Sequence, residues 1–132
     1  MIYIAAAIIT NHNNDCLLVR KRNTHAFMQP GGKIEKGETV EQALIRELQE
    51  ELSITVTTYN LNYVGKFTNQ AANEPGEFVV AEVFHVNADG QNITLAAEIE
   101  EMLWVSAIPD ETLTIAPLSK EQILPLIGNA RA

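Results

Sequence analysis

Residues 32–54 read Gly32-Lys-Ile-Glu-Lys-Gly-Glu38, then seven residues, then Arg46-Glu47-Leu48-Gln49-Glu50-Glu51-Leu52-Ser53-Ile54. Thr39 with Gln42 three positions on makes a capping box, and Glu41 adds negative charge to the first turn, so the pattern predicts a helix from Val40 to about Leu52. At about 100° per residue, Leu44, Leu48, Leu52 and Ile45 share one stripe. Glu47, Glu50 and Glu51 gather roughly 115° round the cylinder with only Ala43 between them. One face packs, and the adjoining face collects carboxylates.

Carboxylates at i, i+3 and i+4 repel, and each like-charge pair at that spacing costs a helix about 0.2–0.5 kcal/mol. A cation held among Glu47, Glu50 and Glu51 removes the conflict. Hard divalent ions take oxygen ligands in octahedral geometry, a few of them carboxylates and the rest waters and substrate phosphate oxygens, so Mg²⁺ or Mn²⁺ is the expected cofactor. A solvated acidic face is the competing reading of the three glutamates taken alone. The glycine, Glu38 and Arg46 at fixed spacing weigh against it. Arg46, four residues before Glu50 and beside Glu47, can orient a carboxylate through a bidentate charge-assisted bond; an ordinary exposed ion pair is the alternative.

The pattern resembles the Nudix box of the MutT/Nudix family, G-x5-E-x7-R-E-U-x-E-E-x-G-U with U aliphatic, and matches it everywhere but at the final glycine, which is Ser53. The resemblance implies an α/β (α+β) fold, a Nudix-type α/β/α sandwich with a central mixed sheet and a catalytic loop-helix. It implies metal-assisted hydrolysis of a phosphoric anhydride, with Glu47, Glu50 and Glu51 as metal ligands and Arg46 as their support. It also implies a metal-ligand carbonyl at Gly31 or Gly32, and a supporting or ligand role for Glu38, for which a plain helix-dipole partner is the rival. Glu50 is a further candidate for the base. A serine in the left-handed conformation that ends such a helix costs on the order of 1 kcal/mol. No ligand is lost with it, so a changed helix exit is expected rather than a dead enzyme.

Composition fits a single domain over residues 1–132: at 46% hydrophobic and 20% charged, the chain can bury a real core. Met1 to Ile9 is apolar but has no basic leader and is too short to span a bilayer, so it reads as a buried strand. The single cysteine, Cys16, makes no internal disulfide and fits a cytoplasmic compartment. A net charge of −8 argues against a nucleic-acid polymer as partner. Yet five of the nine Lys and Arg residues, Arg20, Lys21, Arg22, Lys33 and Lys36, fall within seventeen positions leading into the box, where an anionic substrate could bridge them and the metal. Strand alternation places Arg20 and Arg22 on one face and Lys21 on the other. Arg20, Arg22 and Lys33 are the expected phosphate contacts, with a solvated strand end as the rival.

Further strands are predicted at Ile2 to Thr10, Cys16 to Lys21, Thr55 to Thr58, Leu61 to Asn69, Glu77 to Asn87 and Met102 to Ser106, with Ala26 to Gln29 extended before Pro30. Ser119 with Gln122 makes a second capping box and starts a short helix that Pro125 interrupts. The segment Glu98 to Val105 resembles the acidic loop before a late strand from which some Nudix enzymes supply a further glutamate. Glu98 and Glu101 are its candidates for ligand or general base, with loop solvation equally weighted. Gln70 to Gly76 is long enough to cover a pocket, and Phe27, Tyr63, Phe67 and Trp104 are candidates to stack on a base, although aromatics are more often core.

The expectation is a pyrophosphohydrolase acting on a nucleoside diphosphate linked to another group. A nucleoside triphosphate is slightly preferred over ADP-ribose or a nucleotide sugar, because the chain is little more than a core domain. A Nudix-fold nucleotide-binding module or sensor is the alternative, disfavoured by the intact glutamates. The expected partner is a small nucleotide or other diphosphate, with no membrane and with homodimer formation left open.

Overall fold

Apolar residues on both faces of the first two strands set the architecture. The computed structural model describes residues 1–96 and 98–131 and places β1 at Ile2–Ile8 and β2 at Cys16–Lys21. Ala5, Ala7, Leu17 and Val19 face one core, while Ala6, Ile8, Cys16 and Leu18 face the other, as the two-residue period of a strand requires. Strands buried on both faces need cover on both sides.

The other strands are β3 (Gly31–Lys33), β4 (Leu61–Gln70), β5 (Phe78–Val86) and β6 (Ile99–Val105). A mixed four-stranded sheet runs in the order β3-β1-β5-β4, with β1 parallel to β5 and antiparallel to β3. β2 pairs with β6 in a separate antiparallel ribbon. Helix α1 (Val40–Leu52) covers the first core through Leu44, Leu48 and Leu52, which are fully buried. The second core is closed by a π-helical turn, Ser119–Ile123, that runs into α2 (Leu124–Arg131), with Leu118, Ile123, Leu124 and Ile127 packed inward. Helix, sheet and helix form the expected α/β/α sandwich. Among the described residues, no helix is long and apolar enough to cross a membrane.

Helix α1 has the limits its sequence predicts. Thr39 Oγ1 accepts from the Gln42 N–H at 3.1 Å, and Gln42 Oε1 accepts from the Thr39 N–H at 2.9 Å. At the other end Ser53 takes the left-handed conformation, φ 59° and ψ 31°, and its N–H donates to Gln49 O.

Several local expectations are corrected. Thr55 to Thr58 is not a strand: Ile54 and Val56 are buried beneath α1 in an irregular run, and a 3₁₀ turn, Thr58–Asn60, follows. Ala26 to Gln29 is extended as expected, with isolated bridges at Phe27 and Met28, and a further short strand forms at the glycine pair. A Cβ on Gly31 would lie 2.1 Å from Ala5 O, so only glycine allows β3 to pair with β1 here. β6 starts at Ile99 rather than Met102, which puts Glu100 and Glu101 on a strand. The Ser119 capping box does not form, because Leu118 ahead of it is already helical at φ −55° and ψ −51°. Pro125 does not interrupt α2: Leu124 N–H reaches back to Ser119 O, and the residue with no donor falls where hydrogen-bond spacing changes from π to α.

Candidate active site

Backbone, rather than side chains, delivers the third carboxylate to the helix. Thr94 N–H donates to Leu52 O and Ala96 N–H to Glu51 O, each at 3.0 Å, satisfying carbonyls that the end of α1 leaves open. The Ser53 hydroxyl adds a bond to Thr94 O at 3.0 Å. This docking carries Glu98 to the helix, where its own carbonyl accepts from Arg22 N–H at 2.9 Å. One ligand oxygen from each of Glu47, Glu51 and Glu98 then lies within 4.8 Å of the others.

The glycine pair fits closely against two of these groups. Gly31 N–H donates to Glu51 Oε1 at 3.0 Å, and a Cβ on Gly32 would lie 2.5 Å from Glu47 Cδ. Glu51 is fully buried, and its Oε2 has no hydrogen-bond partner among the described residues. Burial pushes the Glu51 carboxyl up to about 8, against the pull of the Gly31 N–H and the Lys21 charge. Burial also raises Glu47, opposed by its hydrogen bond to Arg46.

Arg46 gathers Glu38, Glu47 and Glu50. Its Nε and Nη2 donate to the two oxygens of Glu38 at 2.8 and 3.0 Å, and its Nη1 to Glu47 at 2.8 Å and Glu50 at 3.3 Å. Nη2 also donates to Lys33 O at 3.1 Å. The Arg46 hydrogen bond, helped by the Glu35 N–H, draws the Glu38 carboxyl down to about 2. The structure therefore brings Glu47, Glu51 and Glu98 together and leaves Glu38 and the half-exposed Glu50 on the Arg46 side.

The basic segment presents the face opposite to the one expected. Leu17 and Val19 pack against α1, and Lys21 continues their side of β2 to line a cavity of about 150 Å³ with Gly31, Gly32 and Lys33. Arg20 instead donates from Nε and Nη2 to Glu101 Oε1 at 3.0 and 2.9 Å and from Nη1 to Thr24 O at 2.8 Å, with its guanidinium 6.0 Å from the Phe27 ring centroid. Arg22 pairs with Glu100 at 2.8 Å. Arg20 and Arg22, expected in the cleft, thus lie outside the cavity lining, and Glu101 is engaged with Arg20 across the β2–β6 ladder.

Lys33 Nζ lies 3.7 Å from Glu74 on the loop Gln70 to Gly76, which does border the cavity. None of the four aromatic candidates lines it. Phe27 and Phe67 pack in the second core, Tyr63 donates to Glu82 at 2.6 Å and meets Phe84 edge-on, and Trp104 stands on β6. Two buried polar residues that the sequence did not single out for the cavity, Gln29 and Ser119, do line it. Gln29 read only as the end of an extended run and Ser119 as a helix cap, so neither carried a signal for a pocket.

The NUDIX domain family model matches residues 2–122. Over 63 residues, 44% of this chain and 48% of the relative, the sequence is 51% identical to the 8-oxo-dGTP diphosphatase of Escherichia coli strain K12. The chain spans about half the length of the 8-oxo-dGTP diphosphatases it matches. A CTP pyrophosphohydrolase of the same organism is 33% identical over 131 residues, covering 96% of this chain and 89% of that one. The solution structure of the E. coli ORF135 protein, 28% identical, has a TM-score of 0.76 and covers 100% of this chain and 91% of that one.

Proposed function

We propose a function from one premise: the chain belongs to the NUDIX domain family. The chain hydrolyses a phosphoric anhydride in a nucleoside diphosphate linked to another group, with a nucleoside triphosphate as the preferred substrate and Mg²⁺ or Mn²⁺ as cofactor. The observation that carries this reading is the convergence of Glu47, Glu51 and Glu98, with one buried oxygen of Glu51 left without a partner.

An all-oxygen donor set with a buried, orphaned carboxylate oxygen fits a hard divalent ion. Glu47, Glu51 and Glu98 would hold it. When bound, such an ion neutralises phosphate charge and acidifies water. The protein's own groups do the rest. Gly31 N–H fixes one oxygen of Glu51, and Arg46 fixes Glu47. Lys21 and Lys33, on the cavity wall, contact phosphate oxygens as point charges. Water adds to phosphorus as the bridging P–O bond breaks and the departing phosphate leaves with its electron pair. Glu98 within the cluster and the half-exposed Glu50 on the Arg46 side are the candidates to take the water's proton.

The relative that covers nearly the whole chain and is itself named a CTP pyrophosphohydrolase supports a nucleoside triphosphate over ADP-ribose. Nucleoside triphosphates, ADP-ribose and nucleotide sugars should be compared with Mg²⁺ present, scoring released phosphate or pyrophosphate. Triphosphates are expected to turn over fastest. Nucleotide binding with no turnover of any compound would replace this reading with that of a binding module.

A further inference from the structure

Gln29 is a buried polar residue whose amide oxygen neither the fold nor the chemistry above uses. It is 6% exposed; its N–H donates to Ser119 Oγ at 3.2 Å and its Nε2 to Ala7 O at 2.9 Å. Ala7 O can only accept, so the amide nitrogen must face it and the carboxamide cannot be turned end for end. Oε1 is thereby fixed on the other side, buried, and without a hydrogen-bond partner among the described residues. An amide oxygen removed from water and given nothing in return is a cost that a ligand donor would relieve.

Gln29 lines the cavity together with Gly31 and Gly32, which adjoin Glu51 and Glu47, and with the apolar Ile2, Ile4, Val79 and Leu118. We propose that Gln29 Oε1 is the specificity-determining acceptor of this cavity and takes an N–H from the edge of a nucleobase whose phosphates extend toward Lys21 and Lys33. This rests on the hydrolase reading for the direction of the phosphates. The chemistry of the wall selects the class of group it accepts. A heterocycle brings two apolar faces and a few edge N–H groups, which suits the apolar part of a wall that also carries Lys21, Lys33, Gln70, Asn73, Glu74 and Ser119. A hexose or second ribose brings several hydroxyls, each needing a partner once buried. No aromatic ring lines the cavity among the described residues, so the base is selected by this hydrogen bond rather than by stacking.

Calorimetric binding of nucleoside monophosphates and of ribose 5-phosphate, with Mg²⁺ present, tests the inference apart from turnover. The wild type should bind one or more of the nucleotides at least about tenfold more tightly than ribose 5-phosphate. Gln29→Met removes the acceptor at similar volume; it should erase that preference while leaving ribose 5-phosphate unchanged. A base whose edge N–H groups are methylated should lose the same factor on the wild-type protein, which decides the matter even if the variant does not fold. An unchanged preference in Gln29→Met, or equally tight binding of the methylated base, would overturn the assignment. Selective binding without turnover would overturn the hydrolase reading and leave this one standing, whereas turnover without base selectivity would overturn this one alone.

Discussion

The backbone N–H of Gly31 donates to Oε1 of Glu51 across 3.0 Å, while the other oxygen of the same carboxyl is buried with no partner among the described residues. One half of the group is pinned by the protein, and a ligand oxygen of the same carboxyl lies within 4.8 Å of one from each of Glu47 and Glu98. Glu51→Gln keeps the shape and removes the charge. Its melting temperature in chelator should equal or exceed that of the wild type, because burying a neutral amide is easier than burying a carboxylate. The Mg²⁺-dependent rise in melting temperature should vanish, and kcat/KM should fall at least about 100-fold, a loss of the size seen when metal sites are disturbed. Equal turnover at limiting Mg²⁺ would remove Glu51 from the site.

The same burial gives the metal-free protein a pH signature. Below the ordinary glutamate value of 4.5 both folded and unfolded chains carry the Glu51 proton; between 4.5 and about 8 the folded chain alone retains it. Stability from this group is complete below 4.5 and is lost as pH rises through about 8, by on the order of a few kcal/mol. Glu38 works in the opposite direction: its carboxyl is held near 2, so its contribution is present above 4.5 and is lost as pH falls toward 2. Melting temperature in chelator should therefore decline from mildly acidic to alkaline pH, and Glu51→Gln should flatten that limb. An alkaline limb equally steep in the variant would assign the slope to other groups.

The two glycines should respond differently to alanine. At Gly31 a Cβ meets the backbone of β1, 2.1 Å from Ala5 O, at a φ of 141° that L residues rarely adopt. Gly31→Ala should cost more than about 3 kcal/mol, because backbone strain and a backbone clash combine. At Gly32 the Cβ meets the flexible end of Glu47. Gly32→Ala should fold, with the Glu47 carboxyl displaced and kcat/KM reduced about tenfold or more. Urea unfolding together with steady-state kinetics separates the two, and full activity in Gly32→Ala would show that Glu47 need not lie where it does.

Ser53 holds the left-handed exit of α1 and donates its hydroxyl to Thr94 O at 3.0 Å. Glycine relieves about 1 kcal/mol of strain but loses a hydrogen bond worth about 0.5–1.5 kcal/mol, so Ser53→Gly should be nearly neutral. Ser53→Ala keeps the strain, loses the bond, and should be less stable by about 1 kcal/mol. Because Thr94 to Ala96 lead to Glu98, the alanine variant should also bind Mg²⁺ more weakly. A clear gain in stability for Ser53→Gly would mean that the Thr94 bond contributes nothing.

Helix α1 was legible because its signals are local: the Thr39–Gln42 box, the leucine stripe and the helix exit all act within a few residues. The pairing of Glu47 with Glu51 follows from the same periodicity. The third carboxylate was less legible, since Glu98 and Glu101 look equivalent in sequence. What separates them is Ala96 N–H on Glu51 O and Arg20 on Glu101, which are backbone and cross-strand contacts with no sequence signature. The face of β2 was unreadable for another reason. Cys16 and Leu18 are as apolar as Leu17 and Val19, so hydrophobic patterning could not tell which side meets α1. Ser119 misled because its oxygen accepts from Gln29 N–H, ninety positions away in sequence, rather than capping its own helix.

That ambiguity on β2 leads to the prediction most easily tested by kinetics. Lys21 lines the cavity on the side of Glu47 and Glu51, and its charge opposes the burial that raises both carboxyls. Lys21→Ala should raise KM about tenfold with a smaller change in kcat, as expected for a contact made to phosphate before and during reaction. Arg20 is committed to Glu101 and Thr24 O. Arg20→Ala should leave KM nearly unchanged and cost at most about 1 kcal/mol of stability, because the pair is partly exposed. Arg22→Ala, which loses the exposed pair with Glu100, should leave KM nearly unchanged. Steady-state kinetics on the three variants, with denaturant unfolding alongside, give the ranking Lys21 far above Arg20 and Arg22. A large rise in KM for Arg20→Ala beside none for Lys21→Ala would mean that substrate approaches from the opposite face of β2.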